Sequence, residues 1–199
     1  MELPPEMVQA WIKPGERVLD LGCGSGELLR QLSDCKDIKG YGIEIDPDAI
    51  SACVRAGINV IEQNLDEGLA NFTDHSFDTV VMTQTLQAVH YPHQLIDEML
   101  RVGRTGIVAF PNFGHWRCRG HLAFRGRMPV SKFLPYQWYD TPNIHFCTTE
   151  DFETLCRDKQ IHIINRRYLS ATRTSGIMAR YWPNLFGFTA IYRISAASH

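Results

Sequence analysis

The sequence predicts an α/β protein built on a mostly parallel central sheet with helices on both faces. Val18, Leu19 and Leu21 form an apolar run broken only by Asp20, and the run opens into Gly22, Gly24 and Gly26 before the helix-like segment ELLRQL. Further apolar runs at 40–45, 77–82 and 107–110 alternate with stretches of helical periodicity. A strand buried on both faces reads as a continuous apolar run, so the alternation is a βα repeat. The glycine turn then falls at the carboxyl end of a central strand, where open α/β sheets bind ligands.

The elements follow in order along the chain. Residues 5–12 form a short helix with Val8, Trp11 and Ile12 on one face, stopped by Pro14 and Gly15. After the glycines, Leu28, Leu29 and Leu32 line the first crossover helix. The second strand, 40–45, ends at Asp46-Pro47, an N-cap followed by a first-turn proline, and its helix runs to Ala56 with Gly57 as the stop. Glu44 lies at the carboxyl end of this strand, about twenty residues past the glycines, where α/β nucleotide sites place an acid on ribose hydroxyls. Its lone pairs can accept from both vicinal hydroxyls, and Ile45 adjoins it.

A third strand, 59–62, leads into Gln63-Asn64-Leu65-Asp66, and a fourth, 77–82, is introduced by the turn 73–76 and followed by Thr83 to Gln87. Pro92 opens a helix through Arg101 with Leu95, Ile96, Met99 and Leu100 as its stripe; Gly103 ends it and strand five spans 107–110. Thr148 and Asp151 form a variant capping box for a helix whose apolar side is Phe152, Leu155 and Cys156. Two final strands, 161–167 and 188–194, are joined by a loop carrying Pro183, Asn184 and Gly187.

With 199 residues, 44% of them hydrophobic, the chain is long enough for one well-buried domain and short for two. It is read as a single domain, 1–199, carrying a basic and aromatic insert at 111–142. The net charge of −2 gives no whole-molecule attraction to nucleic acid. No signal pattern and no spanning-length apolar run is visible, so a cytoplasmic protein without membrane association is expected. The six cysteines form no C-x-x-C pair and no zinc spacing, and read as reduced thiols; Cys23 fills the glycine loop.

Ligand class follows from Glu27, which stands where a dinucleotide fingerprint carries its third glycine. A carboxylate there repels a pyrophosphate, so a ligand with an amino acid and an adenosine but no phosphates fits better. The acid before G-x-G-x-G resembles motif I of the class I S-adenosylmethionine-dependent methyltransferases, and Phe77-Asp78 feeding an apolar strand is a second feature of that superfamily. The resemblance implies a Rossmann-like fold with an antiparallel last strand and a site for S-adenosylmethionine or S-adenosylhomocysteine. Asp20, Gly22, Cys23, Gly24 and Gly26 would face the methionine end with Thr83 nearby, and Glu44 with Ile45 the ribose. Such enzymes usually place an acid on the adenine amino group after the third strand, beside a backbone amide. Asn64 stands in that place here, with Leu65 next to it and Asp66 as the alternative acid.

Between Glu98 and Asp140 there is no acidic residue, while Arg101, Arg104, Arg117, Arg119, Arg125, Arg127 and Lys132 all fall there, interleaved with aromatic and histidine side chains such as Phe113, His115, Trp116, Phe124, Phe133, Tyr136, Trp138 and Tyr139. Such a segment suits a protein partner; an RNA surface is disfavoured by the overall charge and the lack of an RNA-binding module. Its PNFGHW (111–116) and GRMPVSKFLPYQWYDTPNIHFCT (126–148), together with DLGCGSGELL and TQTLQAV, resemble the MetW family of methionine biosynthesis proteins over nearly the whole chain. That resemblance implies a methyltransferase-like partner needed by the homoserine O-acyltransferase MetX, and the cations and rings of 113–139 suit that segment to dock on it. The competing function is an active methyltransferase on a small anionic metabolite recruited by the arginines. His90, His93 and His115 lie near the right strand ends, but none is assigned as a base, so the catalytic residues stay unassigned.

Overall fold

The computed structural model describes residues 4–130, 137–139, 141, 144–170 and 177–197. Its strands are β1 (Arg17–Leu21), β2 (Lys39–Glu44), β3 (Asn59–Glu62), β4 (Phe77–Thr83), β5 (Gly103–Pro111), β6 (His162–Leu169) and β7 (Thr189–Ser195). They form a seven-stranded sheet in the order β3-β2-β1-β4-β5-β7-β6. The pairings among β1 to β5 are parallel, and β7 runs antiparallel to both β5 and β6. The expected mostly parallel sheet with an antiparallel last strand is therefore present.

Eight α-helices are assigned among the described residues: α1 (Pro5–Gln9), α2 (Glu27–Lys36), α3 (Pro47–Arg55), α4 (Pro92–Val102), α5 (Trp116–Arg125), α6 (Thr149–Asp158), α7 (Ile177–Tyr181) and α8 (Pro183–Phe186). The two-residue alternation of the strands divides the core between them. Leu19, Leu21, Val80, Met82, Val108 and Phe110 pack on one face against Leu95, Ile96 and Met99 of α4 and Phe152 of α6. Val18, Val81, Ile107 and Ala109 pack on the other face against Leu29 and Leu32 of α2, Cys53 of α3 and Val8, Trp11 and Ile12. Asp20 shares the parity of Val18 and is the one charged residue in β1's buried run.

The caps form as their residue types dictate. Asp46 accepts from Ala49 N at 2.8 Å with Pro47 in the first turn of α3. Thr148 and Asp151 close a reciprocal capping box on α6. We expect Asp46→Ala to lower unfolding stability by about 1 kcal/mol, because one N-terminal amide of α3 loses its acceptor. Urea denaturation reads this directly, and an unchanged midpoint and slope would show that the cap adds nothing.

Most strand ends fall within two residues of the sequence reading, and three features differ by more. β5 begins at Gly103, not Ile107, because its first residues are held by polar partners instead of the apolar core: Thr105 Oγ1 lies 3.2 Å from Thr79 Oγ1, and Arg104 Nε lies 3.8 Å from Asp78. The connection carrying Pro183, Asn184 and Gly187 holds α7 and α8, each too short to show a periodic stripe. α1 ends at Gln9, and Trp11 and Ile12 reach the core from the turn that follows. Of the basic and aromatic insert, Lys132, Phe133, Tyr136 and Asp140 lie outside the described residues.

No helix among the described residues is long and apolar enough to cross a membrane. No group of His, Cys, Asp and Glu among them could hold a metal ion.

Candidate functional site

The carboxyl ends of β1, β2, β3 and β4 lie side by side, and the segments leaving them are tied to one another. Gly22 N and Cys23 N both donate to Ile43 O of β2, at 2.8 and 3.0 Å. Glu44 completes the attachment: one carboxylate oxygen accepts from Gly24 N at 2.8 Å, the other from Ile45 N at 2.8 Å and Asp46 N at 3.1 Å. On the opposite side Thr85 Oγ1 donates to Leu21 O at 2.9 Å. A Cβ on Gly22 would meet that hydroxyl at 2.5 Å, so the close approach of the β4 segment requires glycine there. Gly24 has φ +54° and nothing within 4 Å of where a Cβ would stand, so the turn needs glycine for its backbone and leaves open space above it.

Beneath this loop the Cys23 and Cys53 sulfurs lie 3.9 Å apart, and Cys53 donates to Gly24 O at 3.1 Å. Burial, then the negative charge of Asp20, pushes the Cys23 thiol up, opposite to what a reactive thiolate needs; the residue fills the loop. Asp20 is 2% exposed and its Oδ1 has no hydrogen-bond partner. Burial first, and Glu44 second, push its carboxyl up to about 7. An unpartnered carboxylate oxygen at this depth favours a cationic ligand group beside it.

The residues after β3 are committed differently from one another. Asn64 Oδ1 accepts from Asp66 N at 3.0 Å and so caps the short 3₁₀ turn Leu65–Glu67. Asp66 turns toward the β4 segment, where its two oxygens meet His90 N at 2.7 Å and His90 Nδ1 at 2.6 Å. Burial raises the Asp66 carboxyl, but these His90 contacts outweigh it and hold the group below its ordinary value. Ile45 is 57% exposed beside Glu44. Thr83 ends β4, and the next residue, Gln84, holds φ +59°, a left-handed backbone of the kind found where strand ends serve a site.

A strap closes the other end. Ile144 N and His145 N both donate to Gln87 O, at 2.8 and 3.0 Å, and Phe113 N donates to Cys147 O at 3.0 Å. The Phe113 and Phe146 rings lie 4.6 Å apart. Residues 144–147 therefore span the segments leaving β4 and β5. Sequence reasoning missed the strap because no local signal marks it: only the segment's apolar and aromatic residues hint at contact. His115 is 2% exposed, and its Nδ1 accepts from Arg117 N to cap α5; burial, then Arg117, holds its pKa below the ordinary value. It is a structural histidine.

Sheet order, antiparallel β7 and a glycine turn tied to the acid ending β2 define a class I methyltransferase fold of the Rossmann-like kind. The solved structures agree. A chain of the complex between the Haloferax volcanii Trm112 methyltransferase activator and a methyltransferase superposes with TM-score 0.69 at 20% identity, over 98% of this chain and 88% of that one. The [4+2]-cyclase SpnF superposes equally well, TM-score 0.69 at 19% identity, over 98% of this chain and 81% of the other. The fold therefore also carries chemistry other than methyl transfer.

The family model described as methionine biosynthesis protein MetW matches residues 5–194, and the chain belongs to that family. A Rhodopirellula baltica relative, called bifunctional methionine biosynthesis protein MetXA/MetW, is 34% identical over 200 residues, covering 96% of this chain. The chain spans 32% of that relative's length.

Proposed function

We propose that this protein binds S-adenosylmethionine or S-adenosylhomocysteine and acts in methionine biosynthesis as the partner of a homoserine O-acyltransferase, MetX. The observation that carries the partnership is the Rhodopirellula baltica relative, whose name joins MetXA and MetW in one polypeptide. The ligand reading rests on the fit of the site. The orphaned Oδ1 of Asp20 suits the ammonium of a methionine moiety, the open space over Gly24 admits the ligand's backbone, and Glu44 Oε2, which accepts one backbone N–H, keeps a lone pair for a ribose hydroxyl. Asn64 Oδ1 already accepts one hydrogen bond and has a second lone pair for an adenine amine, beside Leu65; Ile45 offers an apolar wall. The ligand itself would supply a sulfonium methyl. In this reading residues 1–199 act as one unit, with 111–142 as its insert.

A ligand can tune the acyltransferase only if the complex and the free protein bind it with different affinity. The test is an S-adenosylmethionine titration of the purified protein with and without the acyltransferase, alongside acyltransferase activity with and without this protein. Micromolar association and a shift in ligand affinity are expected, and no association at micromolar concentrations would sink the proposal.

One observation favours a second reading, active methyl transfer to a small anionic metabolite. Asp66 fixes the His90 ring through Nδ1, which leaves Nε2 as a possible proton acceptor in the arrangement of a positioned base. S-adenosylhomocysteine production that disappears in His90→Ala would support it; persistent inactivity despite tight ligand binding would count against it.

A further inference from the structure

The arm formed by α5 and the residues after it, to 130, is largely exposed. α5 buries one residue, Cys118, and its second half and the following turn point apolar side chains outward: Phe124 is 92% exposed, Leu122 45% and Val130 43%. Leu122 and Phe124 stand two positions apart on the helix and so do not share a face, but Met128 and Val130 line one cleft with His121 and Arg125 of α5. Trp138 and Tyr139, at 73% and 71% exposure, follow Gln137, which lines the same cleft as the end of α5. That cleft, about 520 Å³, is bounded by His121, Arg125, Arg127, Met128, Val130 and Gln137.

The charges on the arm are unspent. Arg125 and Arg127 meet no carboxylate among the described residues, whereas Arg101 is held by Glu98 and Asp74 and Arg104 lies near Asp78. Residues 99–139 hold seven of the 20 Lys and Arg and none of the 22 Asp and Glu, so the rest of the chain sets 13 cations against 22 anions. Exposed rings and aliphatic side chains interspersed with free guanidiniums match the residue types of a protein interface, in which aromatic and arginine side chains serve as anchors. Two other occupants fit less well. A second copy in symmetric contact would set like charges against each other, and RNA would leave Leu122, Met128 and Val130 without a use, since bases stack on rings and cations.

We propose that this arm, α5 through residue 130 with Trp138 and Tyr139, docks on a face of the partner that is apolar at its centre and acidic at its rim. The inference rests on the acyltransferase reading above and commits to that enzyme as the occupant.

The test measures the dissociation constant for the purified acyltransferase with three forms of the full chain: wild type, Phe124→Asp, and Arg125→Glu with Arg127→Glu. Phe124→Asp should weaken binding at least about thirtyfold, the loss typical of a buried interface anchor. The double charge reversal should slow association and flatten its salt dependence, with a loss of at least about tenfold. Both should keep the wild-type melting temperature and S-adenosylmethionine affinity, because neither alters a buried side chain or the site. If wild type binds and both variants bind equally well, the surface is wrong while the partnership stands. If wild type does not bind at all, the partnership fails and takes this inference with it. Wild-type self-association, or binding of a single-stranded RNA oligomer, that the variants abolish would assign the arm to another occupant and overturn the proposal.

Discussion

Glu44→Ala is expected to lower S-adenosylmethionine affinity by about 10²- to 10³-fold, corresponding to about 3–4 kcal/mol of lost charge-assisted hydrogen bonding. Two effects combine. The carboxylate is the acceptor proposed for a ribose hydroxyl, and it also holds Gly24 N, Ile45 N and Asp46 N in place. Removing it frees the glycine turn as well as deleting a ligand contact. Glu44→Gln separates these, because the amide oxygen can still accept from one backbone N–H while the charge is gone; its loss should be intermediate. Isothermal titration calorimetry on the three proteins measures the series. Equal affinity throughout would mean that the ligand does not approach the end of β2.

Asp20 gives the second large effect, a dependence of affinity on pH. Its carboxyl is raised from the ordinary 3.8 to about 7 by burial and by Glu44. A ligand ammonium beside Oδ1 prefers the ionised form, so binding below pH 7 must expel a proton. Affinity should then fall about tenfold for each pH unit below 7, about a hundredfold by pH 5, and level off above 7. The same shift has the opposite sign for folding without ligand. The folded state holds the Asp20 proton more tightly than the unfolded chain, so this contribution to stability is complete below pH 3.8 and is lost as pH rises to about 7. Asp20→Asn should abolish both slopes: weaker but pH-independent ligand binding, and a melting temperature that no longer declines across that window on this residue's account. A wild-type affinity flat from pH 5 to 8 would refute the coupling.

What could be read from the sequence was local. The glycine turn, Asp46 before Pro47, and Thr148 with Asp151 are signals within a few residues, and each forms the structure its chemistry dictates. The acid at the end of β2 was legible because strand length and the βα repeat fix its distance from the glycines. The commitments of Asn64 and Asp66 were not legible, because one caps a turn that no pattern announces and the other meets His90, twenty-four residues away in sequence. The strap at 144–147 depends likewise on contacts with Gln87 and Phe113. β6 was legible as a strand but not as the sheet's edge, where only Tyr168 and Leu169 are buried along it and charged residues turn to solvent.

The position of β7 also sets when this molecule can fold. Residues 189–195 follow β6 in sequence, yet they occupy the sheet between β5 and β6, with Ile191, Tyr192 and Ile194 fully buried. Tyr192 stacks on Phe110 with ring centroids 6.0 Å apart and packs against Phe152 at 4.7 Å, so three distant segments share one aromatic cluster. A growing chain can assemble β1 to β5 while it is still being synthesised, but one flank of β5 stays bare until β6 and then residues 189–195 have emerged. Those long-range pairings come late and slowly. During translation the nascent protein therefore shows an unpaired apolar strand edge, and the interval before β7 arrives is when it is most exposed to aggregation or to chaperone capture.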